Sequence, residues 1–147
     1  GRRNVGGVGP TAPASMTSCA LTPHYCVLTA FPLRVNALSC FKPGRQGPFI
    51  EQFEGQPDRG TRVAVVDRTS GELVAEPRTE ALFGFHHVNA FERDGGTEVV
   101  FDLETIPDAT AIDDLSLETL PQGNLDAVAG RLERFIADLG GVTGSDR

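Results

Sequence analysis

Turn-forming residues recur along the whole chain and limit how long any helix or strand can run. The 147 residues include 17 glycines and 10 prolines, spread through the sequence rather than gathered in one segment. Glycine and proline interrupt helices, and at this density they favour many short strands joined by turns. We therefore expect an all-β fold, an antiparallel meander within a single domain over residues 1–147.

Alternating apolar and polar residues predict where the strands lie. Tyr25 to Phe31 is expected as a strand that stops at Pro32, and Leu33 to Asn36 as a second extended piece. Residues 42–60 are predicted as a long loop with a little strand near Phe49 and Ile50. Two hairpins follow: strands 61–67 and 72–75 around a turn at Arg68–Gly71, then strands 83–91 and 97–103 around a turn at Asp94–Gly96.

The tail over residues 121–147 fits two patterns. From Asn124 to Leu139 the apolar residues recur at helical spacing, with Asn124 as a plausible cap. Residues 131–139 also alternate as a strand would. Periodicity alone does not choose between a helix and a strand here.

Charge and composition exclude several classes of protein. The net charge of -7, with Lys42 as the single lysine, argues against a nucleic-acid partner. No apolar run reaches the length of a membrane span, and the start resembles no signal peptide, so we expect a cytoplasmic protein. Cys19, Cys26 and Cys40 lack the spacing of a zinc site and are expected to be ordinary thiols.

The segment Phe83 to Glu92 concentrates two of the three histidines among aromatic residues. Neighbouring residues on a strand point to opposite faces, so His86 and His87 are not expected to serve one site together. Taken alone, an inward histidine is more often a hydrogen-bonded core residue than a metal ligand.

The order of these blocks resembles the carotenoid oxygenase family. The resemblance runs from about Pro13 to Leu120, and its most specific part is Phe85-His86-His87-Val88-Asn89. The next most specific block is Leu21-Thr22-Pro23-His24-Tyr25, and a closing strand at Val99-Val100-Phe101-Asp102-Leu103 agrees with it.

The resemblance implies a part of a seven-bladed β-propeller, of which 147 residues supply about two to three blades. In the family a ferrous iron, Fe(2+), lies on the propeller axis, held by four histidines that glutamates orient. With dioxygen it cleaves a carbon–carbon double bond of an apolar conjugated substrate such as a carotenoid or apocarotenoid. Peripheral membrane contact and the missing propeller blades are the other partners implied.

Carried over to this chain, the resemblance makes His86 an iron ligand and turns His87 away from the axis. A second ligand position of the family falls on Thr17, whose neutral hydroxyl is too short and too weak a donor to replace imidazole. His24 does not substitute for it, because the family has a variable polar residue there. The remaining two ligands lie in parts of the family that this sequence does not contain, so we expect the chain alone to be inactive.

Three interpretations remain open. The chain is part of an iron dioxygenase that needs further sequence, or a decayed, non-catalytic relative that binds an apolar ligand or a protein partner without iron. The third is an unrelated small β-domain. Thr17 favours the second over the first, and the block around His86 disfavours the third.

Overall fold

The computed structural model of the chain describes residues 4, 6–9, 14, 16–35, 53–106 and 130–139. These residues contain strands and short 3-10 turns and no α-helix, and no helix among them could cross a membrane. The strands are β1 Cys19–Leu21, β2 Tyr25–Ala30, β3 Leu33–Val35, β4 Phe53–Gly55, β5 Thr61–Asp67, β6 Leu73–Ala75, β7 Arg78–Thr79, β8 His87–Arg93, β9 Glu98–Thr105 and β10 Arg131–Asp138. The expected all-β fold is confirmed for the described residues.

The first sheet has the strand order β1-β2-β5-β6, with β7 also paired to β5, and its pairs are antiparallel. The predicted hairpin turn between β5 and β6 is present and depends on Asp67. Its Oδ1 atom accepts the backbone N–H groups of Thr69 at 2.8 Å and Ser70 at 2.7 Å. Gly71 then takes a φ of 77°, which a residue without a side chain adopts at little cost.

The second sheet has the order β10-β9-β8 and is also antiparallel. Its hairpin turn at Asp94–Gly96 lies where it was predicted. The tail is resolved as a strand from Arg131 to Asp138, which pairs along the whole of β9 from Thr105 to Glu98. Pairing with the edge of β9 therefore selects the strand over the helix in this segment. Residues 124–129, and the strand predicted near Phe49 and Ile50, lie outside the described residues.

Strands β3 and β4 form a third, two-stranded sheet, and the core lies between the first two sheets. Strand alternation turns Val27, Val63 and Val65 of the first sheet inward, and each is 4% exposed or less. They belong to one buried cluster with residues of the second sheet, among them Val99, Phe101, Leu103, Phe135 and Ala137. Burial of these faces against each other is what holds the sheets together.

The strand predicted over 83–91 begins later than expected. β8 starts at His87, and Phe83 is held by an isolated bridge to Ile106, with backbone bonds of 3.2 and 2.8 Å. Between them Gly84 packs against the Glu104 carbonyl oxygen so closely that a Cβ atom would overlap it. This close packing of backbone on backbone distorts the ladder and delays the regular strand.

Candidate functional site

Two strand edges meet at the candidate site. β1 is the edge strand of the first sheet, and β8 is an edge strand of the second. The Thr17 hydroxyl, two residues before β1, donates a hydrogen bond to the carbonyl oxygen of Phe85, which directly precedes His86. The structure therefore places Thr17 beside the residue that precedes His86 in the chain.

His86 lies at the end of the second sheet just before β8. Its side chain is exposed, and its carbonyl oxygen accepts the backbone N–H of Glu104 at 3.0 Å. Behind it the rings of Phe85, Phe83 and Phe31 follow one another, with centroid separations of 5.2 and 5.6 Å. Packed aromatic rings of this kind hold in place the backbone that carries the exposed His86.

The His87 side chain extends into the space between the sheets. The Ser18 hydroxyl oxygen accepts the His87 backbone N–H at 2.8 Å and lies 2.9 Å from ring atom Nδ1. The other ring nitrogen, Nε2, lies 3.0 Å from the Thr29 hydroxyl. We name Ser18, Thr29 and His87 the His87 latch, because they tie β8 to the first sheet.

Burial lowers the pKa of His87 to about 4, so that its ring is neutral at neutral pH. A neutral ring carries one N–H donor and one acceptor nitrogen. If Ser18 donates its hydroxyl proton to Nδ1, the Nε2–H group donates to Thr29, and every polar group of the latch has a partner. The latch is thus a satisfied structural network rather than a free acid or base.

A β-bulge sets the direction of His87. His87 pairs with Leu103 and Asn89 pairs with Asp102, so Val88 is left over and its side chain is 60% exposed. The extra residue shifts the alternation of inward and outward side chains by one position, so that His87 lies on the same face of β8 as Glu92. Both side chains consequently reach the first sheet.

Glu92 binds the first sheet at the other end of β8. Its Oε1 atom accepts the Thr22 hydroxyl at 2.6 Å and the His24 backbone N–H at 2.8 Å, and its Oε2 atom lies 2.7 Å from His24 Nδ1. We name these three residues the Glu92 clamp. His24 is therefore engaged in this clamp, in agreement with the expectation that it does not replace the ligand missing at Thr17.

Sequence reasoning missed Ser18, Thr29 and Glu92. The partners in the latch and the clamp are 58 to 70 residues apart in sequence, and no local pattern links them. The one available signal was the presence of Thr22 and His24 in the second most specific block of the resemblance.

An open cleft of about 240 Å³ runs between the edges of β1 and β8, lined by residues 19–21 and 87–90. Neither Thr17 nor His86 belongs to this lining. Thr17 does not fit ferrous iron, because it offers only a hydroxyl that is already bonded to a carbonyl. Among the described residues no group of three or more His, Cys, Asp or Glu side chains could hold a metal ion.

Comparison with known proteins agrees with this architecture. The sequence model of the family described as retinal pigment epithelial membrane protein matches residues 4–146. A carotenoid isomerooxygenase of Galleria mellonella is 35% identical over 122 residues, which are 80% of this chain and 23% of that protein. The apocarotenoid-15,15'-oxygenase of Synechocystis sp. is 31% identical over 125 residues, 84% of this chain and 24% of that protein.

The solved structure of cobalt-substituted Synechocystis apocarotenoid oxygenase superposes with a TM-score of 0.68 at 26% identity. The superposition covers 86% of this chain and 25% of that one. The chain belongs to the carotenoid oxygenase family, and it spans about a quarter of the length of the relatives it matches. The expected fold, an all-β antiparallel part of a β-propeller, is confirmed.

Proposed function

We propose that the chain is part of an oxygenase that uses dioxygen to cleave a carbon–carbon double bond of a carotenoid or apocarotenoid. The observation that carries the proposal is the hydrogen bond from Thr17 to Phe85, the neighbour of His86, in a chain that belongs to this family. In a completed propeller His86 would be one of the ligands of ferrous iron. The part of the chain that the structure describes does not form such a site by itself, and we expect the chain alone to be inactive.

Exposed apolar side chains support the idea that further propeller sheets complete the protein. Leu21 on the first sheet is 56% exposed, and Leu132 on the second is 67% exposed. Both lie on faces turned away from the shared core, where a neighbouring blade would bury them. We also propose a cytoplasmic location, with peripheral membrane contact while an apolar substrate is drawn from lipid.

A hybrid enzyme tests the proposal. The matching quarter of the Synechocystis enzyme is replaced by this chain, in three forms: unchanged, with Thr17→His, and with Thr17→His together with His86→Ala. Iron content and cleavage of an apocarotenal are measured for each folded hybrid. We expect only the Thr17→His hybrid to bind iron and cleave, because it alone has imidazoles at both positions. Cleavage that survives the loss of His86 would contradict the assignment.

Thr17 favours a second candidate function, that of a non-catalytic relative which binds an apolar ligand or a protein partner without iron. Its hydroxyl is bonded to Phe85 and is a poor ligand for the metal. The unchanged hybrid distinguishes the two functions. If it binds an apocarotenal, seen as a shift in the absorption of the ligand, and leaves it intact without iron, the binding function is supported.

A further inference from the structure

We propose that Ser18 and Thr29 are positioning residues, which act through the ring of His87 to fix the separation of residues 17 and 86. The biological importance of that separation rests on the proposed function. The claim that Ser18 and Thr29 fix this separation does not rest on the proposed function. It can be tested without iron and without an oxygenase reaction.

The covalent chain makes the coupling direct. Ser18 follows Thr17, and His87 follows His86, so two of the three latch residues are one peptide away from positions 17 and 86. Ser18 holds His87 through two atoms, the backbone nitrogen at 2.8 Å and Nδ1 at 2.9 Å. Because neighbouring Cα atoms are about 3.8 Å apart, fixing one residue leaves its neighbour little freedom to move.

Thr29 prevents the His87 ring from turning. It lies on the inward face of β2, 1% exposed, and bonds Nε2 at 3.0 Å. The ring also lies 6.1 Å from the ring of Phe101 in the core. A rotation of the ring would leave a buried hydroxyl and a buried ring nitrogen without partners, which is costly.

The Glu92 clamp supplies a matched control. It joins the same two sheets at the far end of β8, and its hydrogen bonds go to Thr22 and His24, which follow β1. Its loss should weaken the fold without loosening the end where residues 17 and 86 lie. A variant of the clamp therefore separates general destabilisation from lost positioning.

The test introduces Thr17→His, which places a second imidazole beside His86, and uses Ni²⁺ as the probe. Two fixed imidazoles suit this ion. Binding to the full chain is measured by calorimetry, with Thr17→His plus His86→Ala as the blank for His24 and other weak sites. Into the Thr17→His background are then placed Ser18→Ala, Thr29→Val, Thr29→Ser and Glu92→Gln, each checked for folding by circular dichroism.

We expect Ser18→Ala and Thr29→Val each to weaken the His86-dependent binding of Ni²⁺ by about 10-fold, the low end of the effect of removing groups that orient metal ligands. Thr29→Ser keeps the hydroxyl and should retain the affinity, as should Glu92→Gln despite a lower melting temperature. The proposal is overturned if Thr17→His gains no His86-dependent site. It is also overturned if the two latch variants bind as tightly as their background, or if Glu92→Gln weakens binding as much as they do.

Discussion

Both oxygens of the Glu92 carboxylate are held by His24. The backbone N–H of His24 donates to Oε1 at 2.8 Å, and its ring atom Nδ1 lies 2.7 Å from Oε2. The glutamate side chain is 13% exposed and the histidine side chain 71%. A shielded carboxylate on β8 therefore fixes the turn between β1 and β2.

Replacing this carboxylate should weaken the fold in a pH-dependent way. Burial raises the pKa of Glu92, but hydrogen bonds from Thr22 and His24 outweigh it and lower that pKa from 4.5 to about 2. Since the folded-state pKa is the lower one, the stabilisation is complete above about pH 4.5 and is lost as the pH falls towards about 2. At neutral pH we expect Glu92→Gln to lower the free energy of unfolding by about 1 kcal/mol.

Urea denaturation at a series of pH values measures this difference. The gap between the native chain and Glu92→Gln should close as the solution is acidified below about pH 4.5. If the difference in free energy of unfolding stays constant down to about pH 2, the ionised carboxylate of Glu92 does not add to stability.

The two adjacent histidines should differ in their effect on stability. His87→Ala removes a ring that is bonded to Ser18 and Thr29, and should lower the free energy of unfolding by about 1–3 kcal/mol. His86→Ala changes an exposed side chain and should stay within about 0.5 kcal/mol of the native chain. Thermal and urea melts of the two variants compare them directly, and a larger loss for His86→Ala would reverse our assignment of the strand faces.

His87 should also make the chain less stable in mild acid. Burial lowers its pKa from 6.5 to about 4, so the folded state resists protonation that the unfolded state accepts. Its contribution is complete above about pH 6.5 and is lost as the pH falls to about 4. His87→Gln should make the free energy of unfolding less dependent on pH in this range. If the pH dependence is unchanged, other groups cause it.

Gly84 should not tolerate a side chain. A Cβ atom there would overlap the Glu104 carbonyl oxygen and lie 3.3 Å from the Phe31 ring. We expect Gly84→Ala to cost about 1–3 kcal/mol, as overpacking of a filled core does. Gly55→Ala in β4 is the control, since no atom lies within 4 Å of the added carbon. Equal melting temperatures for the two variants would contradict the packing described.

Local pattern was enough to predict the hairpins, because their determinants are close in sequence. The turn after β5 depends on Asp67 and Gly71, four residues apart, and β5 itself alternates. The tail could not be decided in this way, because Phe135 and Leu139, four residues apart, lie on one face of either a helix or a strand. Pairing with β9, whose residues lie about thirty positions earlier, selects the strand.

The candidate site was predicted only in part. Its position came from the resemblance, which marked Thr17 and His86, and the opposite directions of His86 and His87 came from strand alternation. The bulge at Val88 and the contacts of Ser18, Thr29 and Glu92 could not be predicted, because they arise from the packing of two sheets distant in sequence.

We propose that this chain carries one side of an oxygenase metal site, and its described residues lack the further ligands that would complete it. The most direct test is the amount of ferrous iron that the purified chain retains after anaerobic loading and desalting. We predict far less than one iron per chain, since a single imidazole does not hold the metal against water. One tightly held iron per chain, lost on His86→Ala, would contradict the claim and show that the chain forms a metal centre by itself.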